Sequence, residues 1–229
     1  MSSSRQYILD RVRAAKKGGL AKTDSDVARS RLHDHSPNLI PKRGSVDKEA
    51  RISLFAEEAE KVDASVVRLK HINQVPQEIA RFLKAANLQP KIRSTEKLKN
   101  LPWSETLLDV ETGPVIGSDG VGVTVAFAGV AETGTLVVCS GPGSPTALNF
   151  LPLTNVAIVE ADKIYGNYED VFKNLRAQSG KGQAPIDYMP RTLNFITGPS
   201  RSADIEQTLL LGAHGPQRLH IIIVDDGLA

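Results

Sequence analysis

The sequence of 229 residues is long enough for one full-sized domain, with or without an extension. A hydrophobic fraction of 41% and a charged fraction of 24% are typical of a globular chain and exclude a disordered one. The net charge is +2, but residues 1–45 hold ten Lys and Arg against four Asp and Glu, a net charge of +6, and the remainder has a net charge of −4. This asymmetry predicts a basic N-terminal arm, residues 1–45, followed by a mildly acidic domain, residues 46–229.

Several classes of protein are disfavoured at this stage. No apolar run approaches the roughly 18 residues that span a bilayer, and the N-terminus lacks the apolar core of a secretory signal. The arm has no aromatic stacking pattern or nucleic-acid-binding motif, so we expect no nucleic-acid partner. A single cysteine, Cys139, forms no internal disulfide and holds no iron–sulfur cluster alone, which favours a reducing, cytoplasmic setting. It follows an apolar stretch, so we predict a small buried hydrophobic residue rather than a catalytic thiol.

The predicted elements alternate between helices and strands. The spacing of Ile8, Leu9 and Val12 predicts an amphipathic helix over about residues 5–17, and an aperiodic linker follows over residues 21–45. An apolar stripe predicts a second helix over 46–62. Further patterns predict strands at 65–69, 91–93, 106–109, 121–128, 134–139, 156–159, 193–196 and 219–224, and helices beginning at 76, over 168–177 and over 202–211. Such alternation predicts an α/β fold with a largely parallel sheet.

The segment from Phe195 to Glu206 predicts a strand, a tight Gly-Pro-Ser turn and a helix with acids in its first turn. Backbone N–H groups and the helix dipole favour an anion at such a helix start. Arg201 adds a forked cationic partner for a carboxylate or phosphate. The pattern is also typical of an ordinary strand-to-helix connection in which Asp204 serves as a cap.

Glu132 is the strongest candidate for chemistry, because it lies between two apolar strand segments and is flanked by Gly129 and Gly134. An acid in this place suits a general base or nucleophile, and equally suits an exposed turn or a structural ion pair. His214, at a predicted helix exit, is either a cation stabilised by the helix end or a ligand facing the same crevice as Ser200.

The remaining motifs do not predict a binding site. His33 and His35 flank Asp34, but the spacing offers no third ligand, and we predict no metal site. The glycine-rich turns lack the spacing of phosphate-binding and dinucleotide-binding loops.

Two runs are more specific: Ala131-Glu132-Thr133-Gly134-Thr135-Leu136 and Ile196-Thr197-Gly198-Pro199-Ser200-Arg201-Ser202-Ala203-Asp204-Ile205-Glu206. With Gly122-Val123-Thr124, Leu151-Pro152 and Leu211-Gly212-Ala213-His214-Gly215-Pro216, they resemble the LUD-domain family, closest to its lactate-utilisation protein C branch. The likeness spans roughly residues 46–226. Ser202, where the family pattern has Thr, and Cys139, in a usually aliphatic stretch, are mild departures.

The resemblance implies a fold similar to the NagB/RpiA/CoA-transferase-like α/β class, with an N-terminal helical arm. It implies a role in oxidising L-lactate to pyruvate with two iron–sulfur partner proteins, this chain being similar to the cluster-free member, and it leaves any cofactor of the chain itself open.

The predicted site has Glu132 as the catalytic residue and a small carboxylate or phosphate-bearing compound as the ligand. The predicted ligand-binding residues are Thr133, Gly134, Gly198, Ser200, Arg201, Asp204 and His214. Related folds bind ligands at the carboxyl ends of their strands, where we expect the turns at Glu132 and Ser200 to lie.

Two other function classes are open from sequence. One is a standalone acyl-transferring, CoA-transferring or isomerising enzyme that uses Glu132. The other is a non-catalytic assembly protein whose basic arm docks onto partners.

Overall fold

The computed structural model describes residues 4–17, 30, 37, 39–117, 120–141, 143–179, 190–203 and 209–227. The chain divides into two compact units, residues 1–40 and residues 41–229. The first unit contains helix α1, Ser4–Lys17, which confirms the predicted N-terminal helix. Its apolar side chains Tyr7, Ile8 and Val12 are exposed. The predicted domain boundary at residue 46 stays a prediction.

The described part of the second unit alternates between strands and helices. The helices are α2 (Lys48–Lys61), α3 (Val75–Ala85) and α4 (Tyr168–Ser179). The strands are β1 (Ser65–Leu69), β2 (Lys91–Ser94), β3 (Asp109–Thr112), β4 (Val121–Val125), β5 (Ala128–Val130), β6 (Thr135–Cys139), β7 (Thr154–Glu160), β8 (Ile164–Tyr165), β9 (Leu193–Ile196), β10 (Arg201–Ala203), β11 (Leu209–Leu211) and β12 (Arg218–Val224).

The principal sheet is parallel and has the order β1-β12-β7-β4-β2-β3. Alternate residues of β12 enter two different cores, because successive side chains of a strand point to opposite faces. Ile221 and Ile223 pack in the core that contains Phe55 of α2, and Ile222 packs in the core that contains Ile79 of α3. Helices therefore cover both faces, which explains the continuous apolar runs at residues 156–159 of β7 and 221–224 of β12. The α/β fold with a largely parallel sheet is confirmed.

A second sheet of order β8-β5-β6-β9 adjoins the first. The predicted single strand over 121–128 is divided between the two sheets. Ala126 N–H still donates to Ile158 O of β7 at 2.8 Å, whereas Phe127 N–H donates to Val137 O of β6 at 2.8 Å. The chain thus passes from one sheet to the other between these two residues.

Two predicted elements were wrong. Most of the strand expected at 106–109 is a turn, because the Thr106 hydroxyl donates to Trp103 O and accepts from Leu108 N–H, and β3 begins only at Asp109.

The helix expected over 202–211 is also absent from the described residues of that range. Its two ends, β10 and β11, pair as antiparallel strands. The carbonyl of Ser200, just before β10, accepts from Gly212 N–H, just after β11, at 2.9 Å.

Candidate functional site

A small pocket forms where three connecting segments meet at the amino ends of β7 and β12. Backbone hydrogen bonds join these segments: Ser200 N–H donates to Pro216 O at 2.8 Å, and Gln217 N–H donates to Leu153 O at 2.8 Å. The pocket has a volume of about 240 Å³. It is lined by Asn149, Phe150, Asn155, Phe195, Ile196, Thr197, Gly198, Pro199, Ser200, His214, Gly215, Pro216 and Leu219.

The pocket brings together three of the predicted ligand-binding residues, Gly198, Ser200 and His214. Gly198 has a φ of +74°, and a side chain there would meet the Val62 carbonyl oxygen at 2.3 Å, so glycine is required for this close approach. His214 lies in the turn after β11 rather than at a helix exit, and its side chain is exposed.

The position of the pocket corrects one expectation. The parallel strands β7 and β12 begin at this pocket, since Asn155 and Leu219 are each the second residue of their strand. Only β9 ends there. The pocket therefore does not lie in the crevice at the carboxyl ends of the strands, where open α/β sheets usually bind ligands. It lies at the amino ends of β7 and β12, beneath the loops that precede these strands.

The polar part of the pocket wall includes two buried asparagines that sequence reasoning missed. Thr124 donates its hydroxyl to Asn155 Oδ1 at 3.2 Å, and Asn155 Nδ2 donates to the Asn149 backbone carbonyl at 3.4 Å. Asn149 Oδ1 is buried and has no hydrogen-bond partner among the described residues. Neither asparagine belongs to a motif whose residue types or spacing indicate a site.

The apolar part of the wall is held by aromatic packing. The ring of Phe195 lies 5.5 Å from that of Tyr168 and 5.9 Å from that of Phe172, in tilted arrangements that favour ring-to-ring contact. Phe150 and Leu219 add further apolar surface. The pocket therefore offers amide, hydroxyl and imidazole groups beside an apolar wall, which suits a small ligand with one polar and one apolar end.

Glu132 does not line this pocket. It lies in a 3-10 turn, Ala131–Thr133, with 4% of the residue exposed. Its Oε2 atom is buried without a hydrogen-bond partner among the described residues, and Arg43 Nε lies 3.8 Å from it. Gly44, next to Arg43, is packed against Gly166. Glu132 is thus a buried acid rather than an exposed turn acid.

Hydroxyl groups connect the Glu132 turn to the pocket. Thr133 Oγ1 lies 2.7 Å from Thr135 Oγ1 and 3.0 Å from the Tyr168 hydroxyl. Thr135 Oγ1 in turn lies 2.8 Å from Thr197 Oγ1, and Thr197 lines the pocket. The two candidate regions are therefore linked by side-chain hydrogen bonds.

Gly134 has a packing role that the sequence did not indicate. Its φ is +60°, and a side chain there would lie 2.2 Å from the backbone nitrogen of Ala59 in α2. This glycine lets the turn contact the helix backbone.

Arg201 is not at a helix N-terminus, so that argument for an anion site was wrong. It lies in β10, and its guanidinium donates to the Asp63 carboxylate. It does not line the pocket, and its role in binding an anion stays a prediction. Asp204, Glu206 and the His33-Asp34-His35 group lie outside the described residues.

Cys139 is half-buried at the end of β6, and burial raises the pKa of its thiol, which disfavours the reactive thiolate. In the part of the chain that the structure describes, no three His, Cys, Asp or Glu side chains are grouped to hold a metal ion. The helices of that part are too short or too polar to cross a membrane.

Comparison with known proteins identifies the class. The LUD domain matches residues 116–224, which include the pocket and the Glu132 turn. Residues 116–224 are thus similar to the LUD domain, and the family resemblance found in the sequence is confirmed.

Its relatives include proteins called lactate utilization protein C. That of Geobacillus sp. (strain WCH70) is 40% identical over 106 residues, which are 46% of this chain and 42% of that protein. That of Halalkalibacterium halodurans is 37% identical over 106 residues, 46% of this chain and 44% of that protein. The match therefore spans less than half the length of these relatives.

A solved structure shares the fold. The crystal structure of a DUF162 family protein from Deinococcus radiodurans superposes with a TM-score of 0.57, covering 78% of this chain and 99% of that one. The sequence identity is 19%. This similarity supports the α/β architecture.

Proposed function

We propose that this protein takes part in lactate utilisation and that its pocket binds a small 2-hydroxy or 2-oxo carboxylate. The observation that carries the proposal is the gathering of Gly198, Ser200 and His214 in one cavity of about 240 Å³. These residues come from two separate motifs of the family resemblance. The names of the relatives support the lactate role.

The pocket supports a ligand of this size and chemistry. Ser200 and His214 are the donors suited to a carboxylate. Phe150 and Phe195 suit the methyl end of a three-carbon acid. The pocket volume of about 240 Å³ is below the roughly 300–1,000 Å³ of pockets that bind drug-sized ligands, so it suits a smaller molecule.

In the proposed system this chain is the cluster-free member, and it works with iron–sulfur proteins that carry electrons as L-lactate becomes pyruvate. The chain's own residues bind and orient the acid. Glu132 is the proposed acid-base group. Its neighbour in the chain, Thr133, begins a series of hydroxyl groups that continues through Thr135 to Thr197 in the pocket.

The test measures binding of L-lactate and pyruvate to the full chain by calorimetry and by NMR line shifts. Ser200→Ala and His214→Gln each remove one hydrogen bond to a charged ligand, so we expect at least about tenfold weaker binding. His71→Gln, an exposed histidine paired with Asp226 and outside the pocket, is the matched control and should bind as the original protein does.

The same variants should be expressed in a strain from which the gene for this protein has been deleted, with lactate as the carbon source. Loss of growth with Ser200→Ala or His214→Gln, and full growth with His71→Gln, supports the proposal. Equal binding of both acids by all four proteins removes this pocket from the proposal, and full growth with every variant removes the lactate role of these residues.

A further inference from the structure

A second group of polar side chains lies where β1, β12 and α3 meet, apart from the pocket. Ser65, the first residue of β1, is exposed and pairs in register with His220 of β12. Ser65 Oγ is 2.8 Å from His220 Nδ1, and His220 Nε2 is 3.2 Å from Glu78 Oε1. His220 and Glu78 are 2% and 8% exposed. An exposed hydroxyl, a buried imidazole and a buried carboxylate therefore stand in one hydrogen-bonded series.

The position of each proton follows from the partners of Glu78. Arg81 donates to both carboxylate oxygens, from Nε at 2.8 Å and from a terminal nitrogen at 2.6 Å. Burial alone would raise the pKa of Glu78, but the hydrogen bonds and charges of Arg81 and His220 outweigh it and hold the pKa below its usual value. Glu78 is therefore ionised and can only accept hydrogen bonds.

The tautomer of His220 is fixed as a consequence. Burial lowers the pKa of His220, even though Glu78 raises it, so the ring is neutral near pH 7. A neutral ring has one N–H, and Nε2 must carry it in order to donate to Glu78. Nδ1 is then a bare acceptor, and Ser65 must donate its hydroxyl proton to it. The Phe82 ring, stacked at 4.2 Å and 6° on the imidazole, fixes the plane of the base.

We propose that Ser65 is a nucleophile toward small activated acyl esters, with His220 as its general base and Glu78 as the group that orients the base. This arrangement of nucleophile, base and orienting acid is recognised by geometry rather than by position in the sequence. It goes beyond the proposed lactate role, and Ser65 and Glu78 lie outside the matched LUD region.

The reaction is an ester hydrolysis in two steps. Ser65 Oγ bonds to the carbonyl carbon as its proton moves to His220 Nδ1, the bond to the leaving alcohol breaks, and the alcohol takes up that proton. Water then attacks the Ser65 ester, gives a proton to His220 Nδ1, and releases the acid as Ser65 regains its proton. β1 is the outermost strand of the described sheet, so its outward N–H groups are available to a developing oxyanion.

The test treats the full chain with a small fluorophosphonate and, separately, with p-nitrophenyl acetate, and locates the modified residue by peptide mass mapping. We expect modification of Ser65 and none in Ser65→Ala. His220→Gln removes the base, so we expect at least about a hundredfold slower modification. Ser53→Ala, which removes an exposed serine of α2, is the matched control and should react like the original protein.

A purely structural network would behave differently. The rate of Ser65 modification should rise with pH as His220 loses its proton, and Glu78→Gln should change that profile, which a structural role does not require. If His220→Gln fails to fold, the pH profile of the original protein decides the question. Failure to modify Ser65 in the folded chain, or modification no faster than at Ser53, overturns the proposal.

Discussion

Among single residues, Glu132 is the one whose surroundings make the clearest case for mutation. Its Oε2 atom is buried without a hydrogen-bond partner among the described residues, so a negative charge there is costly to hold, and Arg43 Nε lies 3.8 Å from it. Glu132→Gln removes the charge and keeps the shape. We therefore expect the free energy of unfolding in urea to change by less than about 1 kcal/mol or to rise, while growth on lactate is lost.

Arg43→Gln is the companion change, because it leaves the acid in place and removes the nearby cation. We expect it to destabilise the fold more than Glu132→Gln does, by about 1–2 kcal/mol, since a buried charge then lacks compensation. The double variant should recover most of that loss. A large loss of stability in Glu132→Gln with function that follows the folded fraction would assign Glu132 a structural role instead.

At the scale of secondary-structure elements, Gly134 allows the Glu132 turn to pack closely against α2. Gly134→Ala would place a methyl group 2.2 Å from the Ala59 backbone nitrogen at a φ of +60°. Backbone cannot move aside as a flexible side chain does, so we expect a loss of about 3 kcal/mol or more in urea unfolding.

The control for that change is Gly113→Ala. Gly113 also has a positive φ, +120°, but nothing lies within 4 Å of the added methyl group. It should report the backbone strain alone, with a loss of about 1–2 kcal/mol. Equal losses at the two positions would show that the contact between the turn and α2 is not tight.

Elements whose residues alternate or repeat with a clear period were the ones that sequence could predict. Helix α2 carries an apolar stripe, and β1 and β12 contain runs of Val, Ile and Leu. All three lie within two residues of their predicted bounds. The pairing of β10 with β11 was missed because Asp204 and Glu206 in the sequence match a helix start. The backbone of Ser200 instead donates to Pro216 O and accepts from Gly212 N–H, and these tertiary bonds have no local sequence pattern.

The candidate site was likewise predictable from the sequence only in part. Ser200 and His214 came from motifs, but their meeting at the amino ends of β7 and β12 depends on three loops joined by tertiary hydrogen bonds. His220 lies 155 residues from Ser65 and 142 from Glu78, and no local pattern marks the three residues, so only the fold could bring them together.

At the scale of the whole molecule, acid should destabilise the fold through its central interface. His220 and Glu78 join β12 to α3, and both have pKa values below their usual range, His220 because of burial and Glu78 because Arg81 and His220 outweigh its burial. The unfolded chain therefore binds more protons than the folded one as the pH falls below about 6.5 for the histidine and below about 4.3 for the acid. Stability is present above these values and is lost as the pH falls through the folded pKa of each group.

We expect urea midpoints measured at pH 7.5, 6.5, 5.5 and 4.5 to fall steadily, with His220 contributing a slope of at most about 1.4 kcal/mol per pH unit. His220→Gln removes the histidine's contribution, so its profile should be flatter between pH 6.5 and pH 5. His71→Gln is the control, because His71 is exposed beside Asp226 and its loss leaves the His220 network intact. An unchanged slope in His220→Gln would mean that the acid sensitivity of the fold arises elsewhere.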